Sequence, residues 1–351
     1  MTPRPGSKLA GGRYQLVREL GAGGNGVVWL AMHRGMNAET VVKFPKGWWE
    51  ASGVSHQQLQ QEAQSLAMFS SRHPNIVNIL DVGEMHGRPF VVMQFMRRGS
   101  LGDYCAGGRL ANERNALGQS LNWLRMIADA LDFVHREHLI HRDVKPANVL
   151  LDDSFSPYLA DFGLAAMERA NGAPGSSSVG LFGSLPYMAP EVLRGRPAAP
   201  ASDQFALAVT VYEFITGTVP FRGANLAELV SSQEKDWIRW QSASPSGLDG
   251  ALWRIISRAL HPQVDSRYAN CAQFAELLAD AWPRAPFASK TGSTTSPADT
   301  QNTPMGTVNV DSPRPIPPRP TPSQSAAIAA EPSIAVRKIK IQRVLDNLDR
   351  Q

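Results

Sequence analysis

Between residues 13 and 93, short apolar runs alternate with turn signals in RYQLVREL, GVVWLAMH, TVVKF, NIVNILDVG and PFVVMQF. Runs of this length, rich in β-branched and aromatic residues, predict the strands of a small sheet. One segment breaks the pattern. Ser55 with Gln58 three residues on forms a capping-box signature, and Leu59, Glu62, Ala63 and Leu66 share one face at helical spacing. This predicts a helix that carries an acid on its inward stripe. From about residue 100 the apolar period becomes helical: Leu121, Leu124, Ala128, Leu131 and His135 fall at i, i+3, i+7, i+10 and i+14. Further helices are predicted near residues 202–217, 248–260 and 270–282. The order predicts a β-rich N-terminal lobe followed by a helical one, an α+β fold.

Beyond this body the pattern fades. From Pro286 to Pro332 the chain turns to Pro, Ser, Thr, Ala and Gly with hardly an aromatic. Such a composition buries too little apolar surface to offset chain entropy, so a disordered linker is expected. PRPIPPRPTP within it reads as a polyproline II ligand or as a spacer. In the tail, Ile341, Val344, Leu345 and Leu348 return to helical spacing, but the basic residues come first and Asp346 and Asp349 last, against the helix dipole. A strand at VRKIKI leading into a short helix, docking on the folded body or on a partner, and a frayed terminus all remain open.

Composition narrows the class. The 351 residues, 43% hydrophobic, suffice for a large core. A net charge of +4, from 35 basic against 31 acidic residues, is too small and dispersed to imply nucleic acid. Cys105 and Cys271 lie far apart with no CxxC, which argues against a disulfide framework or zinc site and fits a reducing cytoplasm. MTPRPGSKLAGG lacks the apolar run of a signal peptide, and the most apolar later run, FALAVTVYEFITGTVPF, is short and interrupted by Glu213. It reads as a buried helix, so no membrane span is expected.

Three stretches carry chemistry. LGAGGNGVVWLA, residues 20–31, sets Gly21, Gly23 and Gly26 in the order GxGxxG, which suits a dinucleotide, a nucleoside triphosphate or a plain turn. Val27, Val28, Trp29 and Leu30 read as a strand, so the glycines sit in a hairpin and not at a helix start. A glycine hairpin can lie close over a ligand and present N–H groups to anionic oxygens. Lys43 stands between Val42 and Phe44 at an apolar sheet position, where its charge needs a partner. Glu62 is one candidate and nucleotide phosphates another; a structural ion pair, or a lysine reaching back to solvent, is the alternative.

HRDVKPANVLL, residues 141–151, packs His141, Arg142, Asp143, Lys145 and Asn148 into one short loop. It offers an acid to accept a hydroxyl proton, a lysine to neutralise a moving phosphoryl group and an amide oxygen for a hard cation. In LADFGLA, Asp161 lies beside Phe162 and Gly163, suited to hold Mg²⁺ against triphosphate oxygens.

From Tyr14 to Trp282 the chain resembles the Hanks-type, eukaryotic-like serine/threonine protein kinases, in the bacterial style. The motifs GAGGNGVV, VVKF, Glu62, HRDVKPAN, DFG, GSLPYMAPE and SDQFALAVTVYEFITG occur in family order. The resemblance implies a bilobal kinase domain over residues 13–283, with an N-lobe at about 13–95 and a C-lobe at about 96–283. Residues 1–12 are then a flexible N-terminus, 284–335 the linker and 336–351 the basic tail. It also implies ATP and Mg²⁺ as cofactors and protein substrates with serine or threonine acceptors, the last from KPAN.

By the same resemblance Leu20, Gly21, Gly23 and Gly26 cover the nucleotide, and Lys43 contacts its phosphates and pairs with Glu62. Asp143 takes the substrate proton, Lys145 stabilises the γ-phosphoryl group, and Asn148 with Asp161 holds Mg²⁺. Adenine lies between Val28 and Val41 above and Leu150 below, with backbone bonds along Gln94 to Met96 and Met93 as gatekeeper. Leu66, Ile79, His141 and Phe162 form a stack linking the lobes. Glu191 pairs with Arg267, and Asp203 braces the catalytic loop.

Arg142 is expected to receive an activation-loop phosphate, with Ser176, Ser177 and Ser178 as acceptors unless that loop is merely flexible. Ser184 stands where threonine is usual and keeps the hydroxyl that would bond Asp143 and Lys145. Gln94 replaces a common glutamate at a position that acts through backbone. A pseudokinase scaffold is the rival reading, but its signs, loss of the lysine or either aspartate, are absent. A small-molecule phosphotransferase is disfavoured by APE, Arg267 and the long activation loop.

Overall fold

The computed structural model describes residues 2–23, 26–45, 67–105, 121–161, 184–240, 248 and 250–282. These belong to the first of two compact units, Met1–Lys290 and Thr291–Gln351. Glu62, Leu66, Phe162, Ser176, Ser177 and Ser178, together with the linker and tail, lie outside the described residues.

The N-lobe is one antiparallel sheet of β1 (Lys8–Leu9), β2 (Tyr14–Gly23), β3 (Gly26–His33), β4 (Ala38–Pro45), β5 (Ile79–Met85) and β6 (Arg88–Gln94), in the order β1-β2-β3-β4-β6-β5. Alternation along β3 and β4 sends Trp29, Ala31, Val42 and Phe44 to one face, where they pack with Leu16, Phe90 and Val92. Val28 and Lys43 form a cross-strand pair on the other face, as do Val41 and Leu30. The sheet curls until β1 approaches β5, and Arg13 and Tyr14 both bond Asp81 Oδ2, at 2.7 and 3.0 Å.

The flexible N-terminus expected over residues 1–12 does not hold at β1. Gly6 N–H donates to Leu16 O at 2.8 Å, Leu16 N–H donates to Ser7 O at 2.9 Å, and Leu9 is only 2% exposed. A two-residue strand has no period to read; burial of Leu9 and pairing with β2 hold it.

The C-lobe comprises α1 (Asn122–Arg136), the hairpin β7 (Val149–Leu151) and β8 (Pro157–Leu159), α2 (Pro190–Leu193), α3 (Pro200–Thr216), α4 (Leu226–Trp240), α5 (Gly250–Ala259) and α6 (Cys271–Ala281). Helix α3 contains most of the apolar run noted above. It is buried along most of its surface, through Phe205, Leu207, Val209, Val211 and Phe214, so the lobe assembles around it. Gly217 ends it in a left-handed conformation, φ 79°, with its N–H on Glu213 O. Among the described residues no helix is long and apolar enough to cross a membrane.

Helix α4 is absent from the expectations. Its signal is an Asn-x-x-Glu start: Asn225 Oδ1 accepts from Glu228 N–H at 2.9 Å, and Glu228 reaches back to Ala224 N–H at 2.9 Å.

Two distant parts of the lobe are clamped by a buried ion pair. Arg267, just before α6, donates to Glu191 on α2 through both terminal nitrogens, at 2.9 and 2.8 Å. Ser202 Oγ donates to the same carboxylate, and the guanidinium also bonds His261 O and Ala201 O. Burial pushes the Glu191 carboxyl up, but the bonds and charge of Arg267 outweigh it and hold it low. Its contribution to stability is therefore present above the ordinary glutamate range and lost as pH falls through the depressed value. Arg267→Ala strands a buried carboxylate and is expected to cost about 3–5 kcal/mol at neutral pH. Chemical denaturation at pH 7 and at acid pH checks this: the variant's deficit must shrink as Glu191 protonates.

Candidate active site

The short loop between α1 and β7 is held from below by Asp203. This α3 carboxylate is 1% exposed and accepts from His141 N–H and Arg142 N–H, both at 2.8 Å. The buried His141 ring is fixed in turn: Nε2 donates to Ala160 O at 3.0 Å and Nδ1 accepts from Asp143 N–H at 3.3 Å. Arg142 is driven into the left-handed region, φ 69°, which costs a non-glycine residue about 1–2 kcal/mol. The next residue is Asp143.

Asp143 sits in a closed polar network. Lys145 Nζ bonds both its carboxylate oxygens at 2.9 and 2.8 Å. Ser184 Oγ donates to Oδ1 at 2.7 Å and accepts from Lys145 Nζ at 2.8 Å. Asn148 Nδ2 donates to Asp143 Oδ2 at 2.9 Å and to its backbone oxygen at 2.7 Å. Burial pushes the Asp143 carboxyl up, but the charge and bonds of Lys145, followed by Ser184, overcome it and hold it below the usual range. The group is thus an ionised acceptor at neutral pH.

Lys43 reaches this region from β4. Its ammonium is 3% exposed and lies 2.6 Å from Asp161 Oδ2. The expected pair with Glu62 lies outside the described residues; the counter-charge seen here is Asp161. Asp161 itself adopts φ 60°, a second strained residue at the site after Arg142. Asn148 and Asp161 both offer oxygen, and the Asn148 amide nitrogen is committed to Asp143, which leaves its oxygen as the free acceptor end. A hard, oxygen-only donor set suits Mg²⁺ better than a softer metal.

The apolar side of the cleft is also assembled. Met96 packs with Val77 and Ala160, and Met93, Leu150 and Tyr158 lie against them. Val41 is the register partner of Met93, and Val28 that of Lys43. Gln94 N–H is taken by Asn78 O at 3.1 Å. Leu20 and Gly21 lie on β2, and Gly23 pairs with Gly26 across the hairpin. Gly26 has φ 121°, a conformation that favours glycine at the base of the turn. Of the expected stack, Ile79 lies in β5 and His141 in the loop; Leu66 and Phe162 are not described.

Sequence reasoning passed over Val77, Ala160 and Tyr158, which carry no motif of their own. It also passed over Glu213, which accepts from Tyr187 Oη at 2.5 Å near Ser184. Burial raises the carboxyl of Glu213 even though the tyrosine bond opposes it. Arg142 lines a small cavity with Asp143, Ser184, Tyr187 and Ser202, and its buried Nε has no partner among the described residues.

The chain is similar to known proteins. A protein kinase domain family model matches residues 14–282. The serine/threonine-protein kinase PknF of Mycobacterium tuberculosis is 33% identical over 288 residues, covering 78% of this chain and 56% of PknF. The serine/threonine-protein kinase PrkC of Bacillus subtilis is 29% identical over 255 residues, covering 72% of this chain and 38% of PrkC. The chain thus spans about half or less of the length of these relatives. Among solved structures, the kinase domain of M. tuberculosis PknI is 26% identical with a TM-score of 0.54, covering 80% of this chain and 99% of that one. With the family model spanning both lobes and every motif residue described above, the chain belongs to the protein kinase domain family.

Proposed function

We propose that this chain is an ATP- and Mg²⁺-dependent serine/threonine protein kinase that phosphorylates proteins, itself included. The observation that carries the reading is the ionised Asp143 carboxylate, bonded by Lys145, Ser184 and Asn148 in one cluster. An acid kept charged and surrounded by side-chain donors is built to receive a hydroxyl proton.

In the proposed reaction the substrate hydroxyl oxygen forms a bond to the γ-phosphorus of ATP as the bond from that phosphorus to the β–γ bridging oxygen breaks. The hydroxyl proton passes to Asp143 and ADP leaves. Lys145 balances charge on the moving phosphoryl group, and Lys43 holds the remaining phosphates. Asn148 and Asp161 would hold Mg²⁺, which when bound neutralises phosphate charge. Val28, Val41, Met93, Met96 and Leu150 take the adenine. The family's use of ATP and the naming of the relatives as serine/threonine kinases support this reading.

We also read Arg142 as the receiver of a phosphate from Ser176, Ser177 or Ser178; its Nε, buried and without a partner among the described residues, supports this. The two cysteines are buried and not joined in a disulfide, which fits action in a reducing cytoplasm.

Purified chain given labelled ATP and Mg²⁺ should label itself and generic acceptor proteins, with serine and threonine as the labelled residues. Asp143→Ala should lower transfer by about 10²–10⁴-fold, the usual worth of a general base, and Lys43→Ala should abolish measurable labelling. A folded, phosphatase-treated wild type that transfers no label overturns the reading. Ser184 separates position from chemistry. Ser184→Ala removes a charge-assisted bond and should lower kcat by about 10- to 100-fold, while Ser184→Thr restores the hydroxyl and should recover most of it. Steady-state kinetics on the two variants checks this.

A further inference from the structure

Asp203 has a second side. Its Oδ2 also accepts from His135 Nε2 on α1, at 2.8 Å. The other ring nitrogen, Nδ1, lies 3.8 Å from Asp132 Oδ1, one turn back on the same helix. Asp132 accepts in turn from Cys271 N–H at 3.0 Å and Ala272 N–H at 2.9 Å, the first residues of α6. Charges therefore alternate along a buried line: the positive end of α6, Asp132, His135, Asp203, and then the amides of His141 and Arg142. Asp143 is the next residue.

Burial alone would drive the proton from His135, but its bonds and charges with Asp132 and Asp203 outweigh this and raise it to about 9. Burial pushes Asp132 up, and His135 with the two helix amides pulls it lower still. From α6 the Cys271 thiol also faces the ring; burial and the two carboxylates hold it protonated, so it adds no charge. The acids facing His135 are thus Asp132 from its own helix and Asp203 from α3.

We propose that Asp132 and His135 are positioning residues for phosphoryl transfer, fixing the catalytic loop through Asp203 and tying it to the N-terminus of α6. The doubly protonated ring donates toward both acids. A ring that keeps only the Nε2 proton still bonds Asp203 but turns a lone pair toward Asp132, so the α6 end of the tie opens. The folded-state value lies above the ordinary histidine value of 6.5. The tie's stabilisation is therefore full below that value and is lost as pH rises through about 9.

The catalytic half rests on the kinase reading; the stability half does not. Both are tested on the full chain, with Asp132→Asn, Asp132→Glu and His135→Gln beside wild type. In wild type the thermal midpoint should fall as pH rises through about 9, and His135→Gln should lack that alkaline fall. Asp132→Asn keeps the shape but removes the charge, and should move the alkaline fall down by at least about one pH unit. Its kcat should drop about tenfold with the KM for ATP nearly unchanged, and Asp132→Glu should recover both.

An Asp132→Asn chain with wild-type kcat and a wild-type alkaline midpoint overturns the proposal. So does a wild-type His135 imidazole NMR signal that titrates at or below about pH 7, a measurement that needs no folded variant for its readout. A wild type that transfers no phosphate overturns the kinase reading and the catalytic half with it. The alkaline midpoint and the imidazole titration then still decide the tie.

Discussion

One buried carboxylate sets the geometry on which the rest of the site depends. Asp203 projects from α3, the helix around which the C-lobe core is packed, and gathers the amides of His141 and Arg142 with the ring of His135. Bonds to a charged acceptor contribute about 1.5–3 kcal/mol each. A left-handed Arg142 costs about 1–2 kcal/mol. Two such amide bonds alone exceed the strain, so the loop keeps a conformation that its own sequence would not choose. The loop is thereby referred to the most deeply buried helix of the lobe, and the direction of Asp143 follows from it.

The chain thus uses two aspartates of opposite design within one loop's reach. Two of the bonds to Asp203 come from main-chain amides, which cannot swing away without unfolding the loop. The bonds to Asp143 described above come from Lys145, Ser184 and Asn148, each on rotatable side-chain bonds. A donor of that kind can yield to an incoming hydroxyl. What separates the two acids is how replaceable each donor is.

Much of the site was legible because its parts are close in sequence. Residues 141–148 share one loop, so their types alone suggest a joint task, and β-branched runs such as TVVKF announce strands. What escaped notice depends on contacts with no local signature. Lys8–Leu9 is too short to show a period, and it forms because Leu9 fits beneath β2. Helix α4 did announce itself through Asn225 and Glu228, but its mixed polar face masked the apolar period. His135 read as the last position of an apolar stripe, and only the fold brings Asp203 and α6 against it. Tyr187 and Glu213 were likewise joined by folding, across a gap that no spacing rule spans.

Lys43 shows the same limit from the other direction. Its position on β4 among valines and a phenylalanine is enough to say that a buried ammonium must find a negative charge, because leaving it alone would cost several kcal/mol. Which charge answers is a question of tertiary structure. The sheet register aims the lysine toward the C-lobe, and the left-handed backbone at Asp161 lifts a carboxylate to meet it. The lobes are joined here by a bond that neither could make within itself. The same carboxylate belongs, with Asn148, to the oxygen set proposed to hold Mg²⁺, so in that reading the charge that joins the lobes would also be the charge offered to the cation.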